Sequence, residues 1–214
     1  MEIPTNKNVF IWTNYRSGST ALQSILEQKY HLKNYYEPFH ERRTHDSDTE
    51  NFFNQTSLNA LPYVVKATPL HMKNILARKT LHYNFEKEIN KMLEQCYVIS
   101  LCRKNKIDAL GSMYVATVTK IWFETKSNYR DQTPYTLDFD MAVCQKICAE
   151  YNKNTNLLKD KTCDVKMYYE DLDLTSSNYL KQTKPSNFKD IKHQIYLYVY
   201  ENYPHLLGDT NDRS

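Results

Sequence analysis

At 214 residues the chain has the length of one domain, with enough material to bury a core. Its 28 Lys and Arg stand against 25 Asp and Glu, a formal net charge of +3. Nucleic-acid binders carry a larger, clustered basic excess, so this balance speaks against one and suits a small polyanionic ligand. No apolar stretch approaches transmembrane length and no apolar h-region follows the start, so a cytoplasmic protein with no membrane partner is expected. Eighteen tyrosines read as amphipathic side chains half-buried on strands and helices. Cys96, Cys102, Cys144, Cys148 and Cys163 form no C-x-x-C pair, as expected of reduced, mostly structural thiols. The seven histidines also lack metal spacing, so no metal site is expected.

The first candidate strand, Val9–Trp12, runs through Thr13-Asn14-Tyr15 into Arg16-Ser17-Gly18-Ser19-Thr20, and helical patterning follows over Ala21–Lys29. A strand, a tight polar loop and a helix N-terminus make an anion site, because backbone N–H groups point at the ligand and the helix dipole favours negative charge. Arg16 adds a planar, permanently charged fork suited to phosphate or sulfate oxygens. The Walker A pattern fails: Thr13 stands where its first glycine belongs and Ser19 where its lysine belongs. A plainer alternative is a βα turn that only caps the helix through Ser17 or Ser19. Against it, the chain has three glycines, Gly18, Gly111 and Gly208, and one sits between strand and helix. Such a placement suggests close backbone approach to something.

Next comes Tyr35-Tyr36-Glu37-Pro38-Phe39. A carboxylate before proline is extended or in a turn. Flanking aromatics would desolvate it toward the range of a general base; the competing reading is a surface turn. His40, three residues on, is a rival base, and His40–Thr56 reads as a polar loop. The second strand, Tyr63–Lys66, precedes a helix with Thr68 as N-cap and Pro69 at its first position. The third, Tyr97–Cys102, ends in Arg103-Lys104-Asn105-Lys106, and the helix Lys106–Phe123 carries Ser112. Lys104 and Lys106 read as solvated, whereas Arg103 starts at the sheet edge. After a polar stretch, Ser127–Thr136, Asp138-Phe139-Asp140 caps a helix over Met141–Lys159. The fourth strand, Asp164–Tyr168, ends in Tyr169-Glu170-Asp171-Leu172. The last helix is Asp190–Tyr203, ending near Pro204. Residues 1–207 form one domain in this reading, and 208–214 a frayed tail.

Strands alternating with helices predict an α/β fold, a central parallel sheet flanked by helices. Right-handed crossovers put the strand C-termini on one edge, where open α/β sheets bind ligands. Three of the four strand ends bring cations there, which makes a pocket for more than one anionic group.

Together these residues resemble the PAPS-dependent sulfotransferases, whose cofactor, 3′-phosphoadenosine 5′-phosphosulfate, carries two separated anionic groups. Arg16-Ser17-Gly18-Ser19-Thr20 matches the family's 5′-phosphosulfate loop, and Arg103 with Ser112 matches its 3′-phosphate site. The likeness is strongest to the bacterial trehalose sulfotransferase type, through Arg16–Thr20, Glu37-Pro38-Phe39, Val65-Lys66, Arg103 with Ser112, and Tyr169-Glu170-Asp171-Leu172, in that order. Two departures are Tyr15, where many relatives have proline, and Glu37-Pro38-Phe39, which also looks like the Glu-Pro of animal carbohydrate sulfotransferases. The resemblance implies a P-loop-like, three-layer sulfotransferase fold. It implies transfer of a sulfonate from PAPS to a hydroxyl of a carbohydrate or other small molecule, with 3′,5′-ADP as product and no metal. Glu37 is then the base, Lys66 a ligand of the phosphosulfate or acceptor, and Lys181–Asn187, with Lys184 and Asn187, a cofactor-covering loop. Rival readings are a divergent P-loop kinase using ATP and Mg²⁺, and a non-catalytic anion- or nucleic-acid-binding module.

Overall fold

A computed structural model describes residues 4, 7–39, 52–55, 62–77, 85–122, 124–125, 134–175, 179–180 and 183–208. His40, Lys181 and the tail beyond Gly208 lie outside the described residues.

The run Val-Phe-Ile-Trp has no polar face, as a strand buried on both sides requires. It forms the centre of β1 (Asn8–Thr13), with Val9, Phe10 and Ile11 fully buried and Trp12 nearly so. β2 (Lys33–Asn34) and β3 (Tyr63–Ala67) lie on one side of β1, and β4 (Cys96–Cys102) and β6 (Val165–Tyr168) on the other. The sheet is five-stranded, in the order β2-β3-β1-β4-β6, and every pairing is parallel. Phe10 stands between Val65 and Val98 in the register. A second, two-stranded antiparallel sheet joins β5 (Glu124–Thr125) to β7 (Tyr179–Leu180).

Side chains alternate across the sheet, so each face has its own core. On one side Val9, Ile11, Val64, Ile99 and Leu101 pack against Leu22 and Leu26 of α1 (Ser19–Tyr30). On the other, Phe10, Trp12, Val65, Ala67 and Val98 meet three helices. These are α2 (Pro69–Leu76) through Met72 and Ile75, α3 (Phe85–Gln95) through Ile89 and Met92, and α5 (Met141–Lys159) through Leu158. A third cluster joins α4 (Lys106–Thr119), α5 and α6 (Phe188–Asn202) through Leu110, Ile147 and Ile195. The architecture is α/β, a parallel sheet between layers of helices. Among the described residues no helix is long and apolar enough to cross a membrane.

Thr68 caps α2 by accepting from the His71 amide at 3.2 Å, with Pro69 at the start of the helix, as the sequence predicts. Asp140 caps α5, accepting from Ala142 N at 2.8 Å and Val143 N at 3.2 Å. The predicted helix to Phe123 stops instead at Thr119. There Thr119 Oγ1 donates back to Val115 O and accepts from Ile121 N, while Lys120 turns left-handed at φ 63°. α3 escapes a reading of strong apolar runs, because its stripe is thin and flanked by charge. β2, β5 and β7 are two residues each, too short to show a period.

Of the five cysteines, Cys96, Cys144 and Cys148 are buried, Cys102 is half-buried and Cys163 exposed. Burial pushes the Cys96 thiol up to about 12, a hydrogen bond with Tyr63 acting weakly against it.

Leu26 is fully buried between α1 and the sheet. Leu26→Ala is expected to lower unfolding stability by about 2–5 kcal/mol, from lost transfer energy and a residual cavity, read by urea denaturation.

Candidate functional site

The strand C-termini of a parallel sheet share one edge, and the loop from β1 to α1 occupies its centre. Two residues bend this loop through left-handed conformations, Arg16 at φ 56° and Gly18 at φ 79°. Gly18 is the N-cap of α1, and no side chain caps that helix. The turn capped by Ser17 or Ser19 is therefore not formed. The Ser17 hydroxyl points back into the loop, donating to Asn14 O at 2.8 Å and lying in close contact with Thr13 Oγ1. The N-cap residue thus offers the first amides of α1 no side-chain acceptor, the condition an anion exploits. Arg16 reaches sideways and donates from Nη1 to the carbonyl of Trp122.

On one side of the loop stand Lys66 and Glu37. Lys66, at the end of β3, is 5% exposed, and its ammonium donates to Thr20 Oγ1. Glu37 Oε1 lies 3.4 Å from the same Nζ. Its position comes from the backbone: residues beyond β2 continue along β3, with Tyr35 N donating to Val64 O and Lys66 N to Tyr36 O. Tyr36 takes φ 55°, and its carbonyl also accepts from Gln23 Nε2 at 2.9 Å. The Glu37 side chain is 31% exposed. Tyr35 packs on Phe52 and Tyr63, and Phe39 on Phe52 and Phe53. Among the described residues the carboxylate pairs with the Lys66 ammonium.

On the other side is Arg103, just past β4. Its guanidinium carbon lies 4.2 Å from the centre of the Tyr169 ring. Its Nε is buried and has no hydrogen-bond partner among the described residues. Tyr169 also covers Gly18: a Cβ placed there would lie 2.1 Å from Tyr169 Cδ2 and 2.5 Å from its Cε2, too close for either to stay in place. One aromatic ring thus stands between the β1–α1 loop and Arg103. It is held there by Glu170, whose carboxylate accepts from the backbone amides of Lys104 at 3.0 Å and Asn105 at 3.4 Å. Lys104 pairs with Asp171 at 2.7 Å. Lys106 is half-buried, and burial with Lys159 nearby lowers its ammonium below the usual lysine range.

Ser112 is buried on α4, and Lys184 Nζ donates to its hydroxyl at 2.7 Å while lying 4.7 Å from the Phe188 ring centre. Asn187 is used differently. Its amide donates to Leu137 O at 2.8 Å and its oxygen accepts from Leu137 N at 3.2 Å. Ser186 N donates to Tyr135 O beside it. Asn187 thus fastens the segment that carries Lys184 rather than presenting its own amide to the site.

Sequence motifs did not single out Asn14, Asn154 and Thr155. Asn154 is fully buried on α5, in line with the buried Tyr151 and Leu158. An amide on an apolar helical stripe is the signal that could have found it. A scan against protein-family models and a search of the curated proteins both found no match for this chain.

Gly18→Ala is expected to cost about 1–3 kcal/mol from the left-handed backbone alone, with a further loss from collision with Tyr169. Urea unfolding of the single and double variants tests this. Tyr169→Ala should abolish the second part of the cost and leave the first.

Proposed function

We propose that the chain is a PAPS-dependent sulfotransferase with a P-loop-like sulfotransferase fold, acting on a hydroxyl of a carbohydrate or other small molecule. The single observation that carries this reading is Tyr169, set between Gly18 and Arg103. It joins a helix N-terminus whose cap residue has no side chain to a buried arginine donor that has no partner among the described residues. A ligand with two separated anionic groups would engage both. The strand order, with β1 at the centre between β3 and β4, supports the same reading, since ligands of open α/β sheets sit outside the carboxyl ends where the order reverses.

The residues present fit the nucleotide. The amides from Ser17 to Thr20, with Lys66, would hold the 5′-phosphosulfate end, and Arg16 adds charge at the same loop. Arg103, Ser112 and Lys184 would hold the 3′-phosphate, with Arg103 Nε as the buried donor still to be satisfied. When bound, the nucleotide supplies a sulfonate on a phosphate leaving group. The protein's part is positioning and charge stabilisation, as in phosphoryl transfer. Lys66 bridges the loop to Glu37, so it can hold the donor and orient the base together. Glu37 Oε accepts the proton of the acceptor hydroxyl. Asn187 supports Lys184 through the Leu137 backbone rather than touching nucleotide.

Calorimetry with 3′,5′-ADP, against ATP with Mg²⁺ and single-stranded RNA, tests the cofactor. The expected result is binding of 3′,5′-ADP alone; preference for ATP with Mg²⁺ would replace this reading with a kinase. Arg103→Ala is expected to abolish 3′,5′-ADP binding while the far-UV spectrum stays unchanged. Glu37→Gln should bind 3′,5′-ADP as the parent does and turn over about 10²–10⁴-fold more slowly. Unchanged turnover in that variant, with loss in His40→Ala, would transfer the base to His40.

A further inference from the structure

Asn154 takes no part in the chemistry proposed above, yet it is fully buried and its amide bonds to both the segment that enters the bend and α2. Its Nδ2 donates to Asn14 Oδ1 at 2.9 Å and to Thr13 O at 3.3 Å. Its Oδ1 accepts from Leu70 N, in the first turn of α2, at 3.0 Å. The next residue, Thr155, accepts from Asn14 Nδ2 at 2.7 Å. Asn14 Oδ1 in turn accepts from Tyr15 N at 2.8 Å. A second strut runs from α2, where His71 Nε2 lies 3.2 Å from the Tyr15 hydroxyl. One amide on α5 therefore ties the residues that enter the bend to the helix that follows Lys66.

Burying a carboxamide on an apolar stripe costs stability that a leucine there would not. A full set of hydrogen bonds offsets that cost only while the loop keeps its shape. The bend needs such a restraint, since Arg16 at φ 56° is an unfavourable conformation for a side-chain-bearing residue and persists only when its surroundings over-determine it. None of these bonds, among the described residues, runs to Arg103, Ser112 or Lys184.

We propose that Asn154, with Thr155, is a positioning residue for the β1–α1 loop. It sets the half of the site that takes the 5′ end of the nucleotide and leaves the 3′ half untouched. The inference rests on the functional reading above. The test is calorimetry on the full chain with 3′,5′-ADP and with adenosine 3′-monophosphate, which lacks the 5′ group. In Asn154→Ala and Thr155→Val, affinity for 3′,5′-ADP is expected to fall about tenfold, 1.4 kcal/mol, toward that of adenosine 3′-monophosphate. Affinity for adenosine 3′-monophosphate itself should stay at the parent value. Thr155→Ser, which keeps the hydroxyl, should behave as the parent. If Asn154→Ala fails to fold, the Thr155 pair decides. Parallel weakening of both nucleotides would reduce Asn154 to a structural residue and overturn the proposal, as would no weakening of either. A parent chain that binds neither nucleotide overturns the functional reading itself.

Discussion

The bend between β1 and α1 governs the rest of the site. To turn from the central strand into a helix, the chain passes through two left-handed residues, and the second becomes a helix cap with no side chain to offer. The helix then begins with amides that its own cap residue does not satisfy. A buried helix end in that state is costly unless something else supplies an acceptor. Around this end the structure gathers the ammonium of Lys66 and, across one tyrosine ring, the guanidinium of Arg103. Positive charge beside a helix N-terminus at one edge of a parallel sheet is an arrangement that favours an anion.

Two of the neighbouring segments are held by paired side-chain bonds to backbone. The Glu170 carboxylate binds the turn after β4, and this fixes the Tyr169 ring over Gly18. The Asn187 amide binds Leu137 on both sides, and this fixes the segment from which Lys184 reaches Ser112. Two-point attachment of this kind removes rotamer freedom before any ligand arrives, so less ordering remains for binding to pay for.

Much of this was legible in the chain. Apolar runs with β-branched and aromatic residues marked the central strands, because strands covered on both faces have no polar side to confuse the pattern. Caps at Thr68 and Asp140 were readable because a side chain before a helix acts within three residues. The cluster of cations after the strands was readable because parallel strands end at one edge. Three things were not. One is the cap of α1, which is Gly18 and not the serine of the plainer alternative, since only the φ values decide whether a nearby hydroxyl faces the helix or the loop. Another is the ion pair of Glu37 with Lys66, since a backbone ladder outside any recognisable strand sets its register. Asn154 carries no motif, because its partners lie in segments far away along the chain.

The sequence by itself determined that the chain makes strands and helices in alternation, that their ends carry arginine, lysine and glycine, and that this glycine lies where a strand turns into a helix. Those features follow from periodicity and backbone freedom, which act over a few residues. Only the tertiary structure decided which cations meet, which hydroxyls face the loop, and that a tyrosine from the fourth strand end closes over a glycine from the first. These depend on strand order and register, fixed by how the two faces of the sheet bury their side chains and not by any short stretch of residues.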